Sequence, residues 1–233
     1  SGCGLRCCFC QNHDIAMGSR GRAVSVERLG EIFLELKEKG AANINLVTGA
    51  HYVPQIIEAL DMARRNGMDI PVVYNSSGYE KTETLKLLEG YVDIYLPDLK
   101  YLDPELAQKF SYAPDYVQAA KAAIGEMVRQ TGKCEFGEDG YIRKGTIVRH
   151  LILPGHTGNS IKALRYLHET YGEDIYISIM NQYTPVRKFV EFKELNRKVT
   201  KREYEKVLDA AVDMGIQNGF IQEGETASQS FIP

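Results

Sequence analysis

Apolar positions along the chain alternate between two periods. Leu29, Ile32, Phe33 and Leu36 fall at helical spacing, with Ser25 placed to cap that helix and Gly40 to stop it. "NINLV" at 43–47 then predicts a buried strand. The alternation repeats: a helix opened by Pro54 carries Ile56, Leu60 and Ala63 and closes at Gly67, and "PVVY" at 71–74 is the next strand. "LKLLEG" ends a short helix at Gly90, and "VDIYL" at 92–96 is a strand. Asp103 followed by Pro104 reads as a cap and a first helical residue. Val117, Ala120, Ile124 and Met127 mark another helix. The polar, Gly-rich stretch 132–145 predicts a surface loop that feeds a strand over 146–153. Ser160 is placed to cap a helix with Leu164 and Leu167, and "IYISIM" at 175–180 is a fifth strand. Thr200 and Glu203 form a capping box before a helix that Gly215 ends.

Strands that take turns with helices and read as near-continuous apolar runs imply a parallel sheet covered by helices. Right-handed crossovers leave a barrel or an open wound sheet, with the site at the strands' C-terminal ends. A chain of 233 residues suits one such domain.

Charge narrows the partners. A net charge of −3, with Lys and Arg scattered, gives no basic footprint for nucleic acid, and no tract is long enough to span a bilayer. Five cysteines, an odd number with four crowded into the first ten residues, do not suit a secreted disulfide framework. A reducing cytoplasm is the expected location. The chain starts without Met, and its N-terminus is expected to be truncated.

The crowded cysteines carry the chemistry. Cys3-x3-Cys7-x2-Cys10 brings three thiols onto one short loop in "SGCGLRCCFCQN", where Gly2 and Gly4 relax the backbone. Three readings stay open on the residues alone. Zinc takes four ligands, and His13 supplies a fourth as Cys7-x2-Cys10-x2-His13. A redox dithiol uses Cys7 and Cys10 but leaves Cys3 idle. An iron–sulfur cluster uses all three and leaves one iron free for a ligand. Cys8 and Cys134 read as small apolar residues.

With Phe9 before the last cysteine, the spacing resembles the cluster motif of the radical S-adenosylmethionine (SAM) enzymes, and among them the glycyl-radical-enzyme activases of the pyruvate formate-lyase-activating type. The resemblance runs nearly the whole chain. It implies a 4Fe-4S cluster on Cys3, Cys7 and Cys10 with SAM chelating the fourth iron. The activity it implies is reductive cleavage to a 5′-deoxyadenosyl radical that abstracts hydrogen from a protein partner, a glycine of a glycyl radical enzyme. A flavodoxin- or ferredoxin-type protein would donate the electron. Targets in a different peptide or a small metabolite share the same motifs, and a zinc-binding scaffold is the non-enzymatic alternative. In that family the cysteine loop follows the first strand of a (βα)6 barrel. The expected fold is therefore a three-quarter TIM-like partial barrel lacking its first strand, a truncated radical SAM core over 1–233.

Further positions match the resemblance in part. "VTGAHYVP" puts Thr48, Gly49, Ala50 and His51 where the family has a Gly-Gly-Glu-type turn at the SAM ammonium, with His51 in place of the acid. "YNSSGY" offers Asn75 and Ser76 to SAM, with Gly78 turning the chain. "PDLKY" resembles the activases' Asp-Leu-Lys, implying Lys100 near the SAM carboxylate. Alternation sets Asp98 and Lys100 on one side of an extended chain. Arg149 lies in an apolar strand where a bare charge is costly, so it needs a partner, either SAM or Asp98. Asn181 and Gln182 follow the 175–180 strand and would line the pocket. His150 and His156 read as structural or solvent-facing. No second cysteine cluster is present, so the ferredoxin-like insertion of some activases is absent.

Overall fold

The computed structural model describes residues 1–221. A short helix α1 (His13–Ala16) follows the cysteine loop, and α2 (Val26–Glu38) is capped by Ser25, whose side chain accepts from the Arg28 N–H. Strand β1 (Ile44–Val47), α3 (Val53–Arg65), β2 (Val72–Ser76), α4 (Thr82–Lys86) and β3 (Ile94–Pro97) continue the alternation. Helix α5 (Pro104–Ser111) starts as expected, with the Asp103 carboxylate accepting from Glu105 N and Pro104 in the first turn, where its missing N–H costs nothing. Next come α6 (Tyr116–Thr131), β4 (Glu135–Phe136), β5 (Ile142–Leu151), α7 (Thr157–Tyr171), β6 (Tyr176–Met180), α8 (Lys201–Asp213) and β7 (Gly219–Ile221). The capping box of Thr200 and Glu203 opens α8.

The sheet order is β1-β2-β3-β5-β6-β7, all parallel, with β4 pairing antiparallel to the start of β5. Three expectations change. The stretch 132–145 is a hairpin and not only a loop: Phe136 pairs with Ile142 across a turn containing Gly137 and Gly140. Its interleaved charges hide the strand alternation. A sixth parallel strand, β7, pairs with β6 through three exposed residues, a run too short to register as a strand in sequence. Ser160 is not a cap, because α7 begins at Thr157 and buries Ser160 inside its first turns.

Two clusters of buried side chains fill the space between sheet and helices. Phe33, Ile56, Leu60, Tyr74 and Met127 belong to one, and Phe110, Ile124, Val148, Leu164 and Ile177 to the other. Along β6, Ile177 and Ile179 are buried while Tyr176, Ser178 and Met180 are partly open. These three therefore share the sheet's inner face with their register partners Ile147, Arg149 and Leu151 on β5. Among the described residues β1 has only β2 as a neighbour, and no helix is long and apolar enough to cross a membrane.

Candidate active site

Three neighbouring strands, β2, β3 and β5, bring one group of side chains together on this inner face. Asp98 follows β3 and forms an isolated parallel bridge with Arg149, so register alone brings their side chains together. Arg149 donates from Nε to Asp98 Oδ1 at 2.9 Å and from Nη2 to Asn75 Oδ1 at 2.7 Å. Lys100 Nζ makes an ion pair with Asp98 Oδ2. The three charged side chains are only 14% (Asp98), 17% (Lys100) and 26% (Arg149) exposed. Burial works against the charges of Asp98 and Lys100. Lys100 and Arg149, with the hydrogen bonds they donate, together outweigh burial and hold the Asp98 carboxyl below its ordinary range, while Asp98 in turn holds the Lys100 ammonium above its own. Two cations facing one carboxylate leave an excess positive charge, which an anionic ligand would balance.

Backbone ties fix this group. The Tyr116 hydroxyl accepts from Lys100 N at 2.9 Å and lies 2.9 Å from the Ser77 carbonyl and 2.8 Å from that of Asp98. Its single proton serves either carbonyl. The two loops cross so closely that a Cβ at Gly78, whose φ is +78°, would sit 2.2 Å from the Asp98 carbonyl oxygen. Burial pushes His150 down to about 4, so its imidazole is neutral. A carbonyl only accepts; Nδ1 therefore donates to Leu99 O at 2.6 Å, and Nε2 accepts from Ser160 Oγ at 2.9 Å. Asn159 clasps the next turn, accepting from Leu102 N and donating to Lys100 O. Tyr116 and Asn159 escaped sequence reasoning and Ser160 was read only as a cap, because each acts through tertiary contacts that no local spacing encodes.

Ser76 is not brought to this group. Alternation turns it to the opposite face, where its buried hydroxyl donates to Glu80 Oε1 at 2.7 Å. The Tyr74 hydroxyl reaches the same oxygen at 3.5 Å, and Glu80 Oε2 is buried without a hydrogen-bond partner. Burial raises the Glu80 carboxyl above its ordinary value despite these donors. The neutral form's contribution to stability is therefore complete below the ordinary carboxylate pKa and is lost as pH rises toward the raised one. Glu80→Gln, which cannot ionise, should gain on the wild type between pH 5 and pH 8. Urea midpoints of both proteins at the two pH values check this; a constant difference would contradict it.

Thr48 adopts φ +54°, a left-handed conformation costly for a β-branched residue, while its N–H is held by Asn75 O at 2.9 Å. Gly49 follows with no room to spare: a Cβ there would meet Ile56 at 2.9 Å and Tyr74 at 3.4 Å. Ala50 starts a short 3-10 turn, and His51 points back at the cysteine loop, its Nε2 2.9 Å from where a Gly2 Cβ would stand. Tyr52 OH donates to Ser1 O. His51 thus lies against the loop, a placement its sequence position did not suggest. Asn181 is half-buried directly after β6.

The loop itself is pinned on α5. Cys8 N donates to Phe110 O at 2.8 Å and Arg6 N to Ser111 O at 3.3 Å, while Cys10 N closes a turn on Cys7 O. Ser111 Oγ donates to Cys7 Sγ at 3.0 Å; with its proton used there, Tyr101 OH donates to Ser111 Oγ at 2.8 Å. Burial raises the Cys7 and Cys10 thiols, opposed by the charge of Lys100, and both feel the charge of Cys3. Lys100 thus joins the charged group to the thiols. Cys8 is buried and pushed up to about 11 by burial, as expected of a packing residue. Among the described residues no three His, Cys, Asp or Glu side chains converge on a single ion, and the His13 side chain is 65% exposed. Three soft thiols on one loop fit a polynuclear group in which each sulfur takes its own metal atom.

The sequence pattern of the Radical SAM superfamily matches residues 1–167. An uncharacterized protein of Methanocaldococcus jannaschii is 27% identical over 217 residues, which cover 90% of this chain and 60% of that protein. The chain thus spans about three fifths of that relative's length. Among solved structures, a domain of a pyruvate-formate lyase-activating enzyme from Bacteroides vulgatus is similar with a TM-score of 0.53 at 12% identity, over 77% of this chain and 98% of that one. Streptococcus suis SuiB bound to S-adenosylmethionine gives a TM-score of 0.59 at 16% identity, over 96% of this chain and 45% of that one. The protein anSMEcpe with bound AdoMet gives 0.62 at 12% identity, over 91% and 57%. At these identities the likeness concerns the partial-barrel fold.

Proposed function

This chain belongs to the radical SAM superfamily, and from that premise we propose that it is an iron–sulfur enzyme that abstracts hydrogen from a protein partner, a glycine of a glycyl radical enzyme. Cys3, Cys7 and Cys10 hold a 4Fe-4S cluster in this reading. When bound, the cluster and SAM together supply reductive cleavage to methionine and a 5′-deoxyadenosyl radical that takes a hydrogen atom from the target.

The chain's own residues bind and orient. One observation carries the reading: the cation-rich group of Asn75, Asp98, Lys100 and Arg149 is tied to the thiol loop, because Tyr101, next to Lys100, donates to Ser111 Oγ, which donates to Cys7 Sγ. An amino acid chelating a metal beside those thiols presents a carboxylate, and the excess positive charge here is suited to receive it. The turn of Thr48, Gly49, Ala50 and His51 would face the ammonium with backbone carbonyls, since the His51 ring lies against Gly2 of the loop. Asn181, half-buried directly after β6, is the remaining candidate for a cofactor contact. Ser76 supports Asn75 from behind the sheet through Glu80 and the Gly78 turn. A flavodoxin- or ferredoxin-type protein is the electron donor.

Anaerobic reconstitution with iron and sulfide should give a brown protein that forms 5′-deoxyadenosine from SAM and dithionite. With a purified glycyl radical enzyme added, a glycyl signal should appear in electron paramagnetic resonance. Colourless protein carrying one zinc would sink the whole reading. Formation of 5′-deoxyadenosine without the glycyl signal would instead move the target to another peptide or a small metabolite. SuiB, a neighbour in fold, has been solved with the precursor peptide SuiA, and fold alone does not choose between target classes.

A further inference from the structure

The cysteine loop has a second face. Two shallow pockets of about 210 and 240 Å³ adjoin there, sharing Cys8, Tyr112 and Arg187. Cys7 and Cys10 line the first, and neither pocket includes Asn75, Asp98, Lys100 or Arg149. The groove therefore reaches the thiols without passing through the charged group.

Its chemistry is one-sided. Arg6, His13, Arg187 and Lys188 line it against a single acid, Glu191, in a chain whose net charge is −3. Among the described residues Arg6, Arg187 and Lys188 make no ion pair; Arg6 donates to Met17 Sδ, and Arg187 lies over the Phe189 ring at 5.3 Å. Exposed apolar side chains sit between these cations: Met17 at 47%, Tyr112 at 66% and Val190 at 81%. Tyr112 is unusual in its backbone too. It closes α5 at φ +54°, where a glycine would serve the helix end without strain, yet it holds a large ring out over both pockets. Local stability does not call for that ring.

We propose that this groove docks an acidic one-electron carrier protein, which reduces the metal group held by Cys3, Cys7 and Cys10. The proposal rests on the radical reading given above. One electron leaves the carrier, which is oxidised by one unit, and enters the metal group, which is reduced by one; no atom or proton need cross. Unpaired cations around an apolar centre steer and seat an acidic surface, and Cys7 and Cys10 at the groove floor keep the transfer path short.

Binding of flavodoxin, an acidic carrier used as the probe, to the reconstituted protein tests this by calorimetry at low and at high salt. Affinity should weaken about tenfold or more in Arg187→Glu/Lys188→Glu and with rising salt. Tyr112→Gly should resist urea better than the wild type yet also bind the carrier more weakly, a combination that a purely structural role would not produce. Formation of 5′-deoxyadenosine with dithionite should be unchanged in both variants. Unchanged affinity, salt-insensitive binding, or self-association through this face in sedimentation would overturn the proposal. If the wild type fails to cleave SAM with dithionite, the radical reading falls separately, because affinity is measured independently of turnover.

Discussion

Cys7→Ala is expected to give a folded but colourless protein that forms no 5′-deoxyadenosine. The fold should survive because the loop is held by its backbone: Cys8 N on Phe110 O, Arg6 N on Ser111 O, and Leu5 and Phe9 buried in the core do not involve the Cys7 sulfur. What is lost is chemical. Two thiols cannot grip a cubane at three corners, and Ser111 Oγ, which donates to Cys7 Sγ, cannot replace a thiolate. Cys8→Ala separates this from a general effect of removing sulfur next to the site. Cys8 is buried among apolar side chains and its thiol is pushed up to about 11, so the alanine variant should keep iron, sulfide and brown colour at a modest cost in stability. Iron content, visible absorption and 5′-deoxyadenosine on the two variants decide it. SAM cleavage surviving in Cys7→Ala, or equal loss in Cys8→Ala, would refute the assignment of ligands.

The contrast between those neighbouring cysteines shows what was legible in sequence. Ligand spacing is a local property, so Cys3, Cys7 and Cys10 stand out before any fold is known, and so do caps such as Ser25, Asp103 and Thr200. The Asp98–Arg149 pair was half legible: an arginine in an apolar strand demands a partner, and Asp98 was one of two choices. Strands of few residues, or with charges interleaved, were not legible, as β7 and the β4–β5 hairpin show. Nor were the clasps. Tyr116 joins the ends of β2 and β3, and Ser160 reaches His150 from a helix, through contacts that exist only once register is set. Ser76 was misplaced by one step of strand alternation, which reverses the face a side chain occupies.

Asp98→Asn should cost about 3 kcal/mol or more of stability at neutral pH, because it strips the carboxylate that pairs with two poorly exposed cations. The amide can still accept one hydrogen bond, but it cannot balance Lys100 and Arg149, whose mutual repulsion would then be uncompensated. Backbone contacts do not soften the loss, since Asp98 N on Ser76 O and Tyr116 OH at the Asp98 carbonyl persist in the variant and keep both cations where they are. The effect has a defined pH dependence. Asp98 is held below its ordinary pKa, so its contribution is complete above the ordinary aspartate value and is lost as pH falls through the depressed one. The gap between wild type and variant should therefore be full at pH 7 and close in strong acid. Adding Arg149→Leu to the variant should recover part of the loss, because one unbalanced cation is removed. Denaturant titrations of the three proteins across pH measure all of this. A single variant within 1 kcal/mol of wild type at neutral pH, or a gap that widens in acid, would mean that Asp98 does not organise this group and that the excess charge offered to an anionic ligand has another source.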